Sequence, residues 1–347
     1  MSGQIDNQIF RDTQLYALPN AFKKNQVHLE VLPFFRNNEY FAATQDGQTY
    51  FGYQLQSVYQ RNVSKHSKLL LGALAIQNYG AHQGFSAIFP IVALQYYKNH
   101  HQIIFGTLQG AAHHQLIEPI YGQELMLTQK NEQGVQWRKN NQKINLDAWI
   151  NWEENTERNI NRLEKFSAGL NLKSKLSLTP YFSIMPNFQC LYQHQGNSNG
   201  ASTLPLKTIA NAGIGTIAEY KNNHKRFNYQ FYYTQYQDFS ITQTNTFVNG
   251  FGLYHHLQYS PNSRLDIIVN HWYGNEYQAA KGGAIYQSVN PMDKAFPQRI
   301  RQLLFLRAHY HFYLDKDILL DIRLDPYYDF IQKLAEPSYA LYLRYSF

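Results

Sequence analysis

Two groups of side chains in this sequence have the types and spacing to do chemistry. Arg307, His309, His311, Asp321, Arg323, Asp325 and Arg344 fall on alternate positions of neighbouring apolar segments near the C-terminus. If those segments are strands, all seven share one face. Charges on the inner wall of a pore set a transverse field and select ions; paired across strands, the same charges would stiffen the wall. The second group sits in five blocks: Asn37-Asn38-Glu39-Tyr40-Phe41, His114-Gln-Leu-Ile-Glu118-Pro-Ile-Tyr121, Trp149-Ile-Asn151-Trp152-Glu153, His194-Gln195-Gly196 and Trp272-Tyr273-Gly274-Asn275-Glu276. From these, Asn38, Glu39, His114, Glu118, Tyr121, Asn151, Trp152, Glu153, His194, Gln195, Trp272 and Glu276 are candidate ligand contacts. Aromatic faces beside amide and carboxylate acceptors suit a polar organic ligand such as a sugar. The competing role is an interfacial aromatic girdle with polar residues that order the loops.

Catalytic and metal chemistry have weaker support. The pairs His100-His101, His113-His114 and His255-His256 would point to opposite faces of a strand and cannot grip one ion. His309 and His311 have the right spacing, but no third ligand accompanies them, so no metal and no cofactor are expected. The segment His194-Gln-Gly-Asn-Ser198-Asn199-Gly200 faintly resembles the His-x-Ser-Asn-Gly segment of outer-membrane phospholipase, with His and Ser four apart instead of two. Glu118 with His114, or Glu153 with His194, has the residue types for acid–base work. A nucleophile and its base must come within about 3 Å of each other, and nothing in the spacing secures that. The expectation is therefore no catalytic residue and no enzyme, with a surface-facing barrel hydrolase as the least favoured alternative.

The elements that position these residues are strands. Tyr (28) and Phe (22) are abundant while charged residues are only 16 %, which suits alternating strands with aromatic girdles. Phe85 to Tyr97, the best apolar run, is too short for a membrane helix and contains Pro90. A single cysteine, Cys190, excludes an intrachain disulfide framework. The net charge of +7 is scattered and comes with no nucleic-acid motif, so nucleic acid is not an expected partner.

Alternation places strands near 26–34, 49–61, 68–79, 86–97, 101–110, 134–139, 143–152, 159–173, 177–193, 205–221, 226–238, 248–259, 264–273, 299–314, 318–328 and 336–347. That makes about 16 strands, with 14–18 open, in one all-β antiparallel transmembrane barrel over 26–347. Residues 1–25 are expected to form a periplasmic tail or a segment tucked into the barrel. Short links, such as those at Lys98–His101 and Lys173–Lys175, alternate with long ones, including 35–48, 111–133 and 274–298. In outer-membrane barrels the short turns are periplasmic and the long loops external. Facing is legible too: Phe227, Tyr229, Phe231 and Tyr233 share one side, and Asn228, Gln230, Tyr232 and Thr234 the other. Asn145, Asp147, Trp149 and Asn151 oppose Ile144, Leu146, Ala148 and Ile150 in the same way.

The final strand, Tyr339-Ala-Leu341-Tyr-Leu343-Arg-Tyr345-Ser-Phe347, resembles the closing strand of a Gram-negative outer-membrane barrel, although it lacks the usual glycine. Together with the five blocks it makes the chain similar to uncharacterised porin-like outer-membrane proteins of Bacteroidota. That resemblance implies an outer-membrane location and contact with outer-membrane lipid. The start Met1-Ser-Gly-Gln carries no charged-then-apolar leader, which for such a location implies a leader already removed. A barrel of this size is wide enough to hold water, so the expected function is passive diffusion of small polar solutes. The alternative is a non-conducting subunit that contacts other outer-membrane proteins or further copies of itself.

Overall fold

The computed structural model describes residues 7–11, 15, 24–42, 45–81, 84–155, 163–196, 205–222, 225–242, 245–290 and 297–347. Strands β1 (Asn25–Asn38), β2 (Gln48–Asn62), β3 (Ser67–Asn78), β4 (Ala87–Lys98), β5 (His101–Thr107), β6 (Gln133–Asn140), β7 (Ile144–Glu154) and β8 (Glu164–Ser174) form the first half. The second half is β9 (Phe182–Gly196), β10 (Lys207–Lys221), β11 (Arg226–Asp238), β12 (Asn249–Ser260), β13 (Leu265–Asn275), β14 (Ile300–Asp315), β15 (Ile318–Leu324) and β16 (Ser338–Ser346). Leu176–Ser177 extends β8, Tyr327–Asp329 continues β15 and Leu334–Glu336 leads into β16. Each strand pairs antiparallel with its sequence neighbour, and β16 closes on β1 with Glu30 opposite Ser346 and Phe35 opposite Leu341. The result is a closed 16-strand barrel, as the alternation predicts.

The two-residue period decides what each face meets. Phe227, Tyr229 and Tyr233 lie exposed on the outer wall, while Asn228, Gln230, Tyr232 and Thr234 are buried inside. In β16, Tyr339, Leu341 and Tyr345 face out, and Ala340 and Tyr342 face in. Exposed aromatics gather at both rims, among them Phe51, Tyr79 and Trp152 at the long-loop end and Tyr96, Tyr181 and Phe227 at the short-turn end. These are the interfacial girdles of a lipid-embedded wall.

Two expectations need correction. The hairpin expected at Lys173–Lys175 instead turns at 178–181, where Thr179 Oγ1 accepts from the backbone N–H of Tyr181 at 3.2 Å and of Phe182 at 3.0 Å. The local hydroxyl turn and Pro180 outweigh the two lysines as the reversal signal. The second concerns the lumen, which is narrowed by inserted segments. Segment 108–132, between β5 and β6, and the segment from 276 on, between β13 and β14, fold inward and bury Ile117, Ile120, Tyr121, Met126, Leu127, Tyr277 and Tyr286 inside the wall. From the other end, Ile9, Phe10 and Leu15 are buried as well, and Phe10 packs edge-on against Tyr342 at 4.9 Å. A ring of polar inward side chains receives these insertions, so the backbone groups of the inserted segments find partners away from solvent.

Candidate functional site

The stopper is held by named contacts from the wall. Asn171 Nδ2 donates to the carbonyls of His114 (2.7 Å) and Gln115 (2.9 Å), Gln189 Oε1 accepts from Ile117 N–H (2.9 Å), and Gln54 Nε2 donates to Met126 O (3.0 Å). From the second inserted segment, Gly283 N–H donates to Glu118 O at 3.0 Å, and Gly122 N–H to Lys281 O at 2.7 Å. That junction is tight: a Cβ on Gly122 would sit 3.0 Å from the Gly283 backbone. Gly110 turns the chain inward at φ +74, where a Cβ would lie 2.8 Å from Lys130 O.

Inside the stopper the ionisable groups neutralise one another. His114 is fully buried, stacks on Trp149 at 3.5 Å and 8°, and spans two carboxylates, with Nδ1 3.0 Å from Asp147 and Nε2 2.7 Å from Glu132. Burial opposes a charged imidazole, but the two carboxylates outweigh it and raise its pKa to about 9. With both ring nitrogens engaged, His114 is a structural cation and has no lone pair to serve as a base. Glu118 takes a two-pronged grip from Arg307, at 2.6 and 2.9 Å, and also accepts from Tyr286 and Gln123. Burial works against its charge as well, yet the Arg307 fork holds the carboxyl below its usual range.

The candidate residues therefore separate. Arg307, His309 and Asp325 meet, with His309 Nε2 2.7 Å from Asp325, which also receives Arg36 at 3.2 Å. Arg323 grips Asp321 at 2.7 Å and reaches Asn7 at 3.0 Å. Arg344 donates to the Gln8 (2.6 Å) and Arg11 (2.7 Å) carbonyls, and His311 lines a separate cavity at the short-turn end. Of the expected mouth contacts, Tyr121 and Trp272 are buried in the stopper and its seat, and Asn151 caps Gln133 N–H at 2.9 Å. Glu39 lies on the outer surface with Asn37 (2.7 Å), Trp152 stacks on Phe166, and Glu276 pairs with Arg299 at 2.8 Å. Gln195 is half-buried near the end of β9. Among the described residues no three His, Cys, Asp or Glu side chains gather where a metal ion would sit.

An opening lies at the long-loop rim. A cleft of about 460 Å³ runs between the β1–β2 loop, the first inserted segment and the second, lined by Asn38, Tyr40, Asp46, Tyr50, Glu124 and Lys281 among others. Asn38 is fixed there by Ser338 (2.7 Å) and Arg36 (3.1 Å). Glu124 stands 3.7 Å from the Arg36 guanidinium with its carboxylate partly exposed. Burial raises the Tyr40 phenol to about 12, so at neutral pH it is a hydrogen-bond donor. Lys281 connects the cleft to a polar corner: its Nζ is 2.7 Å from Glu153, which Lys165 also approaches at 3.2 Å. His194 does not join that corner: it takes the opposite face of β9, beside Phe166 on the outer wall, with its Nδ1 2.9 Å from Thr208 Oγ1. Ser198, Asn199 and Gly200 of the phospholipase-like segment lie outside the described residues.

Sequence reasoning missed Glu124, Lys281 and Asp46. Tyr40 lies in the Asn37–Phe41 block but is not among its candidate contacts; Lys281 is the one cation of an Ala-Ala-Lys-Gly-Gly run, a usable signal. Chemically, the cleft offers a carboxylate to take a proton from water and a phenol to donate to an oxyanion.

A family model described as lipid A 3'-O-deacylase-type matches residues 19–347. No curated protein sequence matches significantly. Solved structures are similar in fold at very low identity. OprD of Pseudomonas aeruginosa is 11 % identical with a TM-score of 0.57, over 94 % of each chain. A loop-deletion mutant of OmpT, an outer membrane protein of Vibrio cholerae, is 10 % identical with a TM-score of 0.56, over 94 % of this chain and all of that one. OccAB3 of Acinetobacter baumannii is 10 % identical with a TM-score of 0.52, over 93 % and 99 %. The barrel is thus of the porin-like, outer-membrane kind. The expectation of no enzyme is overturned, because the matching family is one of deacylases.

Proposed function

Because the chain belongs to the lipid A 3'-O-deacylase-type family, we propose that it is an outer-membrane hydrolase that releases an ester-linked acyl chain from lipid A. The observation that carries this reading is the rim cleft, an opening of about 460 Å³ walled by the inserted segments and equipped with Glu124, Asp46, Tyr40 and Lys281. Its size falls in the range of small-molecule sites, and it opens at the long-loop end, where outer-leaflet headgroups lie. The inserted segments narrow the middle of the lumen, which favours a site at the rim over a wide solute path.

In this reading the Glu124 carboxylate takes a proton from a water whose oxygen attacks the ester carbonyl. Tyr40 donates to the oxyanion as it develops. The bond from the carbonyl carbon to the sugar oxygen then breaks, and the proton held by Glu124 passes to that oxygen, leaving a free fatty acid and a hydroxyl. Glu124→Gln keeps the shape and removes the base. Detergent-solubilised protein carrying it should release acyl chains at least about 100-fold more slowly, with KM little changed. Wild-type rates in both Glu124→Gln and Asp46→Asn would remove the cleft from the reaction.

A further inference from the structure

The lumen also opens at the short-turn end, in a cavity that shares no lining residue with the rim cleft. It encloses about 620 Å³ beneath β11 to β14, and its lining includes Lys221, Lys225, Arg226, Arg264, Asp266 and His311. Arg226 and Asp266 both take inward positions of their strands, yet Arg226 Nη2 stops 4.0 Å from Asp266 Oδ1, outside hydrogen-bonding reach. Arg226 Nε is buried with no hydrogen-bond partner. Asp266 is 3 % exposed; one of its oxygens takes the Ser260 hydroxyl and the other, Oδ2, has no hydrogen-bond partner. The same inner face continues upward with His256 opposite Asn270, a buried cluster in which His256 meets Asn270 and Gln258.

A buried polar atom without a partner is destabilising, so Arg226 Nε and Asp266 Oδ2, facing one cavity from β11 and β13, mark a surface built to meet something polar. The lining sets four Lys or Arg side chains against one carboxylate, which selects for negative charge. A guanidinium edge matches a phosphate or carboxylate in two-pronged fashion. Asp266 Oδ2 is an acceptor for a hydroxyl donor on the same molecule. We propose that this vestibule binds a small hydroxylated oxyanion, phosphate- or carboxylate-bearing, from the periplasmic side.

Calorimetric titration of the detergent-purified full chain with inorganic phosphate, glucose 6-phosphate and gluconate tests this and separates the two oxyanion sources. Saturable binding is expected for glucose 6-phosphate or gluconate, tighter than for inorganic phosphate, and weakened about tenfold by Arg226→Gln, equivalent to about 1.4 kcal/mol. Asp266→Asn removes the opposing charge and should tighten inorganic phosphate by about threefold. Lys98→Gln, in a different short turn, should change nothing. Should Arg226→Gln lose the heat-modifiable folded form, Arg264→Gln takes its place with a weakening of about threefold. The proposal is overturned if none of the three probes saturates. It is equally overturned if the arginine variants bind as wild type does, or if Asp266→Asn weakens phosphate.

Discussion

The two ends of this lumen are built from the same alternating strands and end in opposite states. Toward the long loops, inserted segments bring Glu118 to Arg307 and His114 to Asp147, and the inward charges are matched at 2.6 to 3.0 Å. Toward the short turns, the N-terminal segment covers Arg323 and Arg344 and reaches only the edge of the cavity with Gln8, and Arg226 and Asp266 stay 4.0 Å apart. The difference teaches that the two-residue period only decides which side chains face in. Whether an inward charge becomes a structural clamp or an open binding group depends on what the loops deliver to it.

Breaking the matched end should have the largest effect. Glu118→Ala leaves Arg307 buried without its fork, and removal of one partner from such a pair costs about 3–5 kcal/mol. Chemical unfolding should show that loss, and planar-bilayer recordings should show conductance steps larger than any from the wild type. An unchanged unfolding midpoint would mean the pair does not hold the stopper.

Raising the pH attacks the same end more gently. The His114 pKa is raised from an unfolded value near 6.5 to about 9. Its stabilisation is therefore complete below about pH 6.5 and fades as the pH climbs through 9. The full contribution is about 3 kcal/mol, from 1.36 kcal/mol per pH unit. Melting temperatures between pH 6 and 10 should fall in that window, and the fall should shrink in His114→Gln; a fall of equal size in the variant would assign it elsewhere.

Smaller still is the entry turn. Gly110→Ala forces a side chain onto φ +74 and ψ −175, at about 1–3 kcal/mol, readable as faster proteolysis of segment 108–132. Trp152→Ala, on the outer girdle against Phe166, should cost only about 0.5–1.5 kcal/mol and leave the stopper closed. A conductance change in that variant would blur the distinction between wall and stopper.

The wall was legible because burial enforces its period. The residues of β11 and β7 sort inside and outside as their alternation requires, since one slip would expose Asn228 and Asp147 to lipid. The stopper was not legible because its segments have no period. Ile117, Ile120 and Tyr121 look like an ordinary loop until the lumen supplies Gln189 and Arg307 to receive them. The inward charges at Arg307 and Asp325 were found, but their partners Glu118 and Arg36 lie 189 and 289 residues away in sequence. Glu124 and Lys281 escaped for the same reason: separate loops assemble the rim cleft, and no local pattern connects them.

The most direct test of the deacylase reading is mass spectrometry of lipid A after incubation with the purified wild-type protein. The account predicts a product lighter by one acyl chain, lost from the 3'-oxygen, with the matching free fatty acid in solution. Unaltered lipid A from folded, heat-modifiable protein, together with stable conductance steps in a planar bilayer, would contradict it and return the barrel to a porin's role.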